Sequence, residues 1–155
     1  MKEIKTINNK LDDKQPSNLE AEQALLGSVL VNNDIIDEVS TIINSSIFYD
    51  PAHVKIYEVI QNLNNKGMIA NPITLKNYFE KDNMLQEVGG TEYLVKLTRF
   101  SSSSKQAIDY AKIIHEMYLR RELVLISKKL SSDTINASSQ ELNAENIIED
   151  TEKSL

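Results

Sequence analysis

The stretch that decides the fold runs from Lys105 to Leu130, KQAIDYAKIIHEMYLRRELVLISKKL. It holds neither Gly nor Pro, the two residues that most readily interrupt a helix. Ile108, Ala111, His115, Tyr118, Glu122 and Leu125 fall on one line at helical spacing, with Ile114, Leu119, Leu123 and Ile126 beside it. One uninterrupted helix of about 40 Å is predicted, at ~1.5 Å per residue. It is too long to be covered by a head of the size that precedes it. Its far apolar positions, Leu119, Leu123, Ile126 and Leu130, therefore need another partner.

Downstream, Ser131 to Gln140 is polar and reads as a frayed end or turn. Glu141 to Leu155 reads as a weaker helix with only Leu142, Ile147, Ile148 and Leu155 to bury. Upstream, short helices alternate with clear start and stop signals. Ser17 and Glu20 have capping-box spacing, followed by Ala21, Ala24, Leu25, Ser28 and Val29 on one stripe. Asp34 can cap a second helix carrying Ile35, Ile36, Val39, Ile42 and Ile43. Asp50-Pro51 starts a third, because Asp accepts free backbone N–H groups and Pro at the first helical position sacrifices none. Lys66-Gly67 stops it. Thr74 is read as the cap of a fourth helix with Leu75, Tyr78 and Phe79. Gly89-Gly90 makes a turn before a fifth with Tyr93, Leu94, Leu97 and Phe100. Leu25, Ile60, Leu94 and Leu97 are expected in the core. The predicted fold is all-α: a disordered arm over 1–16, a compact five-helix head over 17–104, and a protruding two-helix hairpin over 105–155.

Composition excludes several function classes. The chain has no cysteine, so it forms no disulfide or thiolate metal site and fits a reducing cytoplasm. No apolar run approaches the ~20 residues of a membrane span, and Met1 to Gln15 lacks a signal peptide's apolar stretch. The glycines at 27, 67, 89 and 90 match no phosphate-binding loop, so no nucleotide site is expected within this chain. His53 and His115 lie in separate helices without clustered carboxylates. They read as a cap-adjacent and a helix-face histidine rather than catalytic or metal-binding groups, and Asp50-Pro51-Ala52-His53 as a helix start. No catalytic constellation, cofactor site or metal site is expected.

Charge is unevenly spread around the net −6. From Lys96 to Lys129 eight bases face three acids; from Leu130 to Leu155 six acids face Lys153 alone. Arg120-Arg121 and Lys128-Lys129 read as a solvated face or as the basic arm of a pair with the acidic tail. Between Ser17 and Val95 only four lysines stand against eleven acids. That is a poor surface for DNA, whose affinity rests on phosphate neutralisation. A helix-turn-helix reading, with Thr74 to Asp82 as recognition helix, would have only Lys76, Asn77 and Lys81 to offer against Glu80 and Asp82. A free-standing regulatory helical protein is the other alternative.

Several segments together carry a specific resemblance. They are SNLEAEQALLGSVL (17–30), FYDPAHVKIY (48–57), Ile73-Thr74-Leu75, LQEVGGTEYLVKL (85–97) and YAKIIHEMYLRR (110–121). In order and spacing the sequence from Pro16 to Leu155 resembles the N-terminal domain of bacterial replicative DNA helicases of the DnaB family. Such domains, the resemblance implies, form a collar on a hexameric ring, with helical hairpins pairing as a trimer of dimers. They dock the primase C-terminal domain, and a helicase loader is a further expected partner. A linker and a RecA-like ATPase domain are expected beyond this chain, holding ATP, Mg and most DNA contacts. The expected protein interface comprises Tyr118, Leu119, Arg121, Leu123, Ile126, Leu130, Leu142 and Ile148.

Overall fold

The computed structural model describes residues 15–80, 83–136 and 143–155, and no strand occurs among them. The helices are α1 (Leu19–Val31), α2 (Ile36–Ser40), α3 (Pro51–Asn65), α4 (Pro72–Phe79), α5 (Asn83–Glu87), α6 (Gly90–Thr98), α7 (Ser104–Ile135) and α8 (Ala144–Ser154). Two 3-10 turns, Asn33–Ile35 and Ser45–Ile47, sit on either side of α2. The described residues fall into two compact units, one covering Ser17–Tyr118 and the other including Leu119–Leu155.

The α3 signals act as the sequence predicts. Asp50 Oδ1 accepts from Ala52 N at 2.8 Å with Pro51 at the helix start, and Gly67 turns the chain at φ +70 beyond the Lys66 cap. Three caps are corrected. Asn18, not Ser17, caps α1, its Oδ1 accepting from Ala21 N at 2.9 Å. Asn32 rather than Asp34 caps the next segment, which begins as a 3-10 turn. Thr74 is not the α4 cap but the partner of one. Asn71 Oδ1 accepts from Thr74 N, while Thr74 Oγ1 accepts from Asn71 N. Pro72, pre-set at helical φ, therefore opens the helix. Asparagine caps as well as serine or aspartate, so among neighbouring candidates the tertiary path decides which is used. The short α5 was not anticipated.

The core of the first unit is built from Leu25, Leu26, Val29, Ile56, Tyr57, Ile60, Leu63, Leu75, Leu94 and Leu97, all fully buried. The four residues expected there from the sequence are among them. The most extensive helix pairing joins α1 to α6. Gly27 permits it, because a Cβ at that position would stand 2.0 Å from the Leu97 carbonyl oxygen. Beside it Ser28 Oγ donates to Ala24 O and accepts from Ser102 N at 2.9 Å, tying α1 to the loop before α7. Asn33 clamps the α3–α4 connector. Its amide donates to Ala70 O and its Oδ1 accepts from Ala70 N, replacing a strand partner with a side chain.

The long helix α7 is continuous over 32 residues, roughly 48 Å at ~1.5 Å per residue. It runs past Leu130 through Ser131–Ile135, which the sequence left as a frayed stretch; residues 137–142 lie outside the description. Ala107, Ala111 and Ile114 belong to the first unit's core. The head therefore continues beyond Ser104, where its sequence boundary was drawn. Small alanines let the backbone of α7 approach. The arm expected over 1–16 lies outside the described residues except for Gln15 and Pro16.

Candidate functional site

Two features stand out: a face of α7 and a buried polar cluster. Leu119, Leu123, Ile126 and Leu130 follow one another at intervals of four, three and four residues, which places them on one helix face. Leu119, Leu123 and Leu130 are between 38% and 54% exposed, and Ile126 is half-buried. Three large leucines left this open on a single stripe form an unusual apolar surface for a lone chain. In α8 Ile147 is buried and the adjacent Ile148 is 57% exposed.

Not all the expected interface residues share that face. Tyr118 is half-buried against the head core. Arg121 is half-buried, and its guanidinium donates to Pro16 O at 2.8 Å. At ~100° per residue both project away from the leucine stripe. Leu142 lies outside the described residues. The structure thus gathers Leu119, Leu123, Ile126 and Leu130 and separates them from Tyr118 and Arg121.

The polar cluster was missed by the sequence reading. Glu22 on α1 and His53 on α3 are almost wholly buried. The Glu22 carboxylate accepts from Tyr49 N at 2.6 Å, from Asp50 N at 3.3 Å and from His53 Nδ1 at 2.6 Å. On the far side of the ring, Nε2 lies 2.7 Å from Tyr93 Oη, which also accepts from Gln23 Nε2 at 3.3 Å. One assignment satisfies every group: Nδ1–H donates to Glu22, and the Tyr93 hydroxyl donates to Nε2. The His53 and Tyr93 rings stack at 6.1 Å between centroids, and Phe48 meets His53 edge-on at 6.4 Å. Burial pushes the Tyr93 hydroxyl above its ordinary 10.0, against the Gln23 hydrogen bond, with the Asp50 and Glu22 charges adding to the rise.

A carboxylate and an imidazole in contact can suggest acid–base chemistry. Here the ring is fully buried with both nitrogens engaged, so no reactant reaches it. The cluster instead joins α1, α3 and α6 and fixes the start of α3. A signal for it was present: His53 stands four and seven residues before Tyr57 and Ile60 on the buried α3 stripe, and Glu22 three and seven before Leu25 and Val29 on that of α1. Among the described residues no group of three or more His, Cys, Asp or Glu could hold a metal ion, and no helix is long and apolar enough to cross a membrane.

The known proteins that the chain resembles agree with this architecture. The family model described as the DnaB-like helicase N-terminal domain matches residues 14–116. Replicative DNA helicase DnaB of Rickettsia felis is 41% identical over 140 residues, covering 90% of this chain and 28% of the relative. The Pasteurella multocida protein of the same name is 28% identical over 138 residues, covering 89% of this chain and 29% of the relative. The chain thus spans under a third of the length of these relatives. Among solved structures, the N-terminal domain of DnaB helicase from Mycobacterium tuberculosis superposes with a TM-score of 0.79 at 26% identity, covering 91% of this chain and 97% of that one. With the all-helical head, the Gly27 contact and the PAH-bearing α3 in place, the chain belongs to the DnaB-like helicase N-terminal domain family.

Proposed function

We propose that this chain is the collar domain of a cytoplasmic, ATP-dependent hexameric replicative helicase, and that it serves ring assembly and primase docking rather than catalysis. The single observation that carries this reading is the exposed stripe Leu119, Leu123, Ile126 and Leu130 on α7. In water such a stripe gains by being covered: each large apolar side chain fully removed from solvent contributes ~1.5–3 kcal/mol. A second copy's α7–α8 segment covers it best, giving a self-complementary pair, and three such pairs would form the collar. The basic stretch of α7 and the acidic tail favour antiparallel matching, although exposed ion pairs contribute only ~0–1 kcal/mol each.

Primase, in this reading, binds a composite surface made by two protomers. The ATP and Mg sites, most DNA contacts and any loader contact involve the segment that the longer relatives carry beyond the matched region. A helix-turn-helix role is disfavoured by the scarcity of lysines on the head. The test is sedimentation of the double variant Leu123→Asp, Ile126→Asp. Burying unpaired carboxylates is costly, so the variant should sediment as a monomer at concentrations where the wild type self-associates, with the head's thermal transition retained. Unchanged association would remove the stripe as the interface.

A further inference from the structure

We infer that the head carries a second self-association site: a groove beside Tyr93 that receives α8 of another copy of this chain. The groove encloses about 610 Å³ and is lined by residues including Val88, Glu92, Tyr93, Val95, Lys96 and Arg99. Its wall is firm, because Tyr93 is held by the buried His53 and by Gln23. Val88 and Val95 are both exposed, giving it an apolar side. Lys96 and Arg99 outnumber Glu92 in the groove, on a head whose preceding residues are strongly acidic. A local cationic patch on an otherwise acidic surface selects an acidic partner.

The tail helix has the matching chemistry. Ile147 is buried and Ile148 is 57% exposed, so the open stripe of α8 is the one bearing Ile148. Glu145 and Glu152 lie three residues before and four after Ile148, on the same helix face. Glu145, Ile148 and Glu152 are exposed. Ile148 can thus meet the apolar side made by Val88 and Val95 while the two acids meet Lys96 and Arg99. A contact between a head groove and a tail helix is heterologous, joining unlike surfaces, and so closes only when repeated around a ring. It shares with the proposed function only the premise that copies of this chain associate, and it uses none of the Leu119–Leu130 stripe.

The chain's lack of cysteine makes crosslinking a clean test. One protein carries Val95→Cys and the other Ile148→Cys; they are mixed and oxidised. A disulfide-linked heterodimer should form, and at least about tenfold less of it when the first also carries Lys96→Glu and Arg99→Glu. Glu145→Lys and Glu152→Lys on the second should restore it, which also shows that the reversed groove still folds. Performing this in the Leu123→Asp, Ile126→Asp background separates the two sites: the crosslink should persist there even though pairing through the stripe is lost. A yield no greater than that of Val31→Cys with Ile148→Cys would overturn the inference. So would insensitivity to charge reversal, or a crosslink found only within one chain when both cysteines are placed together.

Discussion

Gly27→Ala is the sharpest test of how the head is packed. On an exposed helix the change would stabilise by ~0.8–1 kcal/mol, since Ala has the higher helix propensity. Here the new Cβ would sit 2.0 Å from Leu97 O, 2.9 Å from Leu97 C and 3.2 Å from Ser101 N. All three are backbone atoms, so no rotamer change relieves the clash, and α1 and α6 must part by roughly 1 Å or more. A gap of that size forfeits about a quarter to a half of the dispersion energy across the contact. It would loosen Leu26, Leu94 and Leu97, now fully buried. Overpacking of this kind typically costs about 1–3 kcal/mol and occasionally more. Because all three contacts are backbone, the cost lies at the upper end of that range, and with the propensity gain set against it a net loss of about 2 kcal/mol is expected, or roughly 4–10 °C in Tm for a domain of this size. Urea denaturation followed by far-UV circular dichroism measures it. A variant as stable as the wild type, or more so, would refute the close α1–α6 approach.

Other perturbations probe different layers. Leu94→Ala should cost about 2–5 kcal/mol through lost burial and a cavity, and a change below ~0.5 kcal/mol in chemical denaturation would mean that this face is misplaced. Glu22→Ala strands the Tyr49 and Asp50 N–H groups and the buried His53 ring, so a loss of about 3–5 kcal/mol is expected; Glu22→Gln, which keeps an acceptor, should lose less, and equal losses would speak against a hydrogen-bonded role. Burial raises the Tyr57 hydroxyl above its ordinary 10.0, opposed by its Ser40 hydrogen bond. The folded state therefore retains a proton that the unfolded state releases, and stability should fall as pH rises above about 10. Tyr57→Phe should flatten that alkaline slope in pH-dependent melting, and an unaltered slope would assign it to other groups.

Much of the head was legible because its signals are local. Asp50-Pro51, Lys66-Gly67 and Gly89-Gly90 act through the backbone of their own neighbourhoods, and the leucine and isoleucine stripes through period alone. The cap corrections show the limit. Asn18, Asn32 and Asn71 stand close to equally competent residues, and the choice among them depends on tertiary path. The Glu22–His53–Tyr93 cluster escaped for a related reason. Its members come from three helices, and their meeting is a property of packing, although a charged or polar residue on an apolar stripe was visible at two of the three positions. Ala107 and Ala111 were seen as part of a long helix, but nothing local says that small residues there admit α7 into the core. The residues expected at an interface divide similarly. The spacing of Leu119, Leu123, Ile126 and Leu130 sets their shared face, whereas the engagement of Tyr118 with the core and of Arg121 with Pro16 required the folded chain.

The central claim is that self-association and primase docking are one event on a surface made by two protomers. It is tested most directly by titrating the primase C-terminal domain into the wild-type chain and into the Leu123→Asp, Ile126→Asp variant by isothermal calorimetry, with the association state of each followed by sedimentation in the same buffer. The account predicts that primase affinity falls together with self-association while the head still melts as a folded unit. A monomeric, folded variant that binds primase as tightly as the wild type would contradict it.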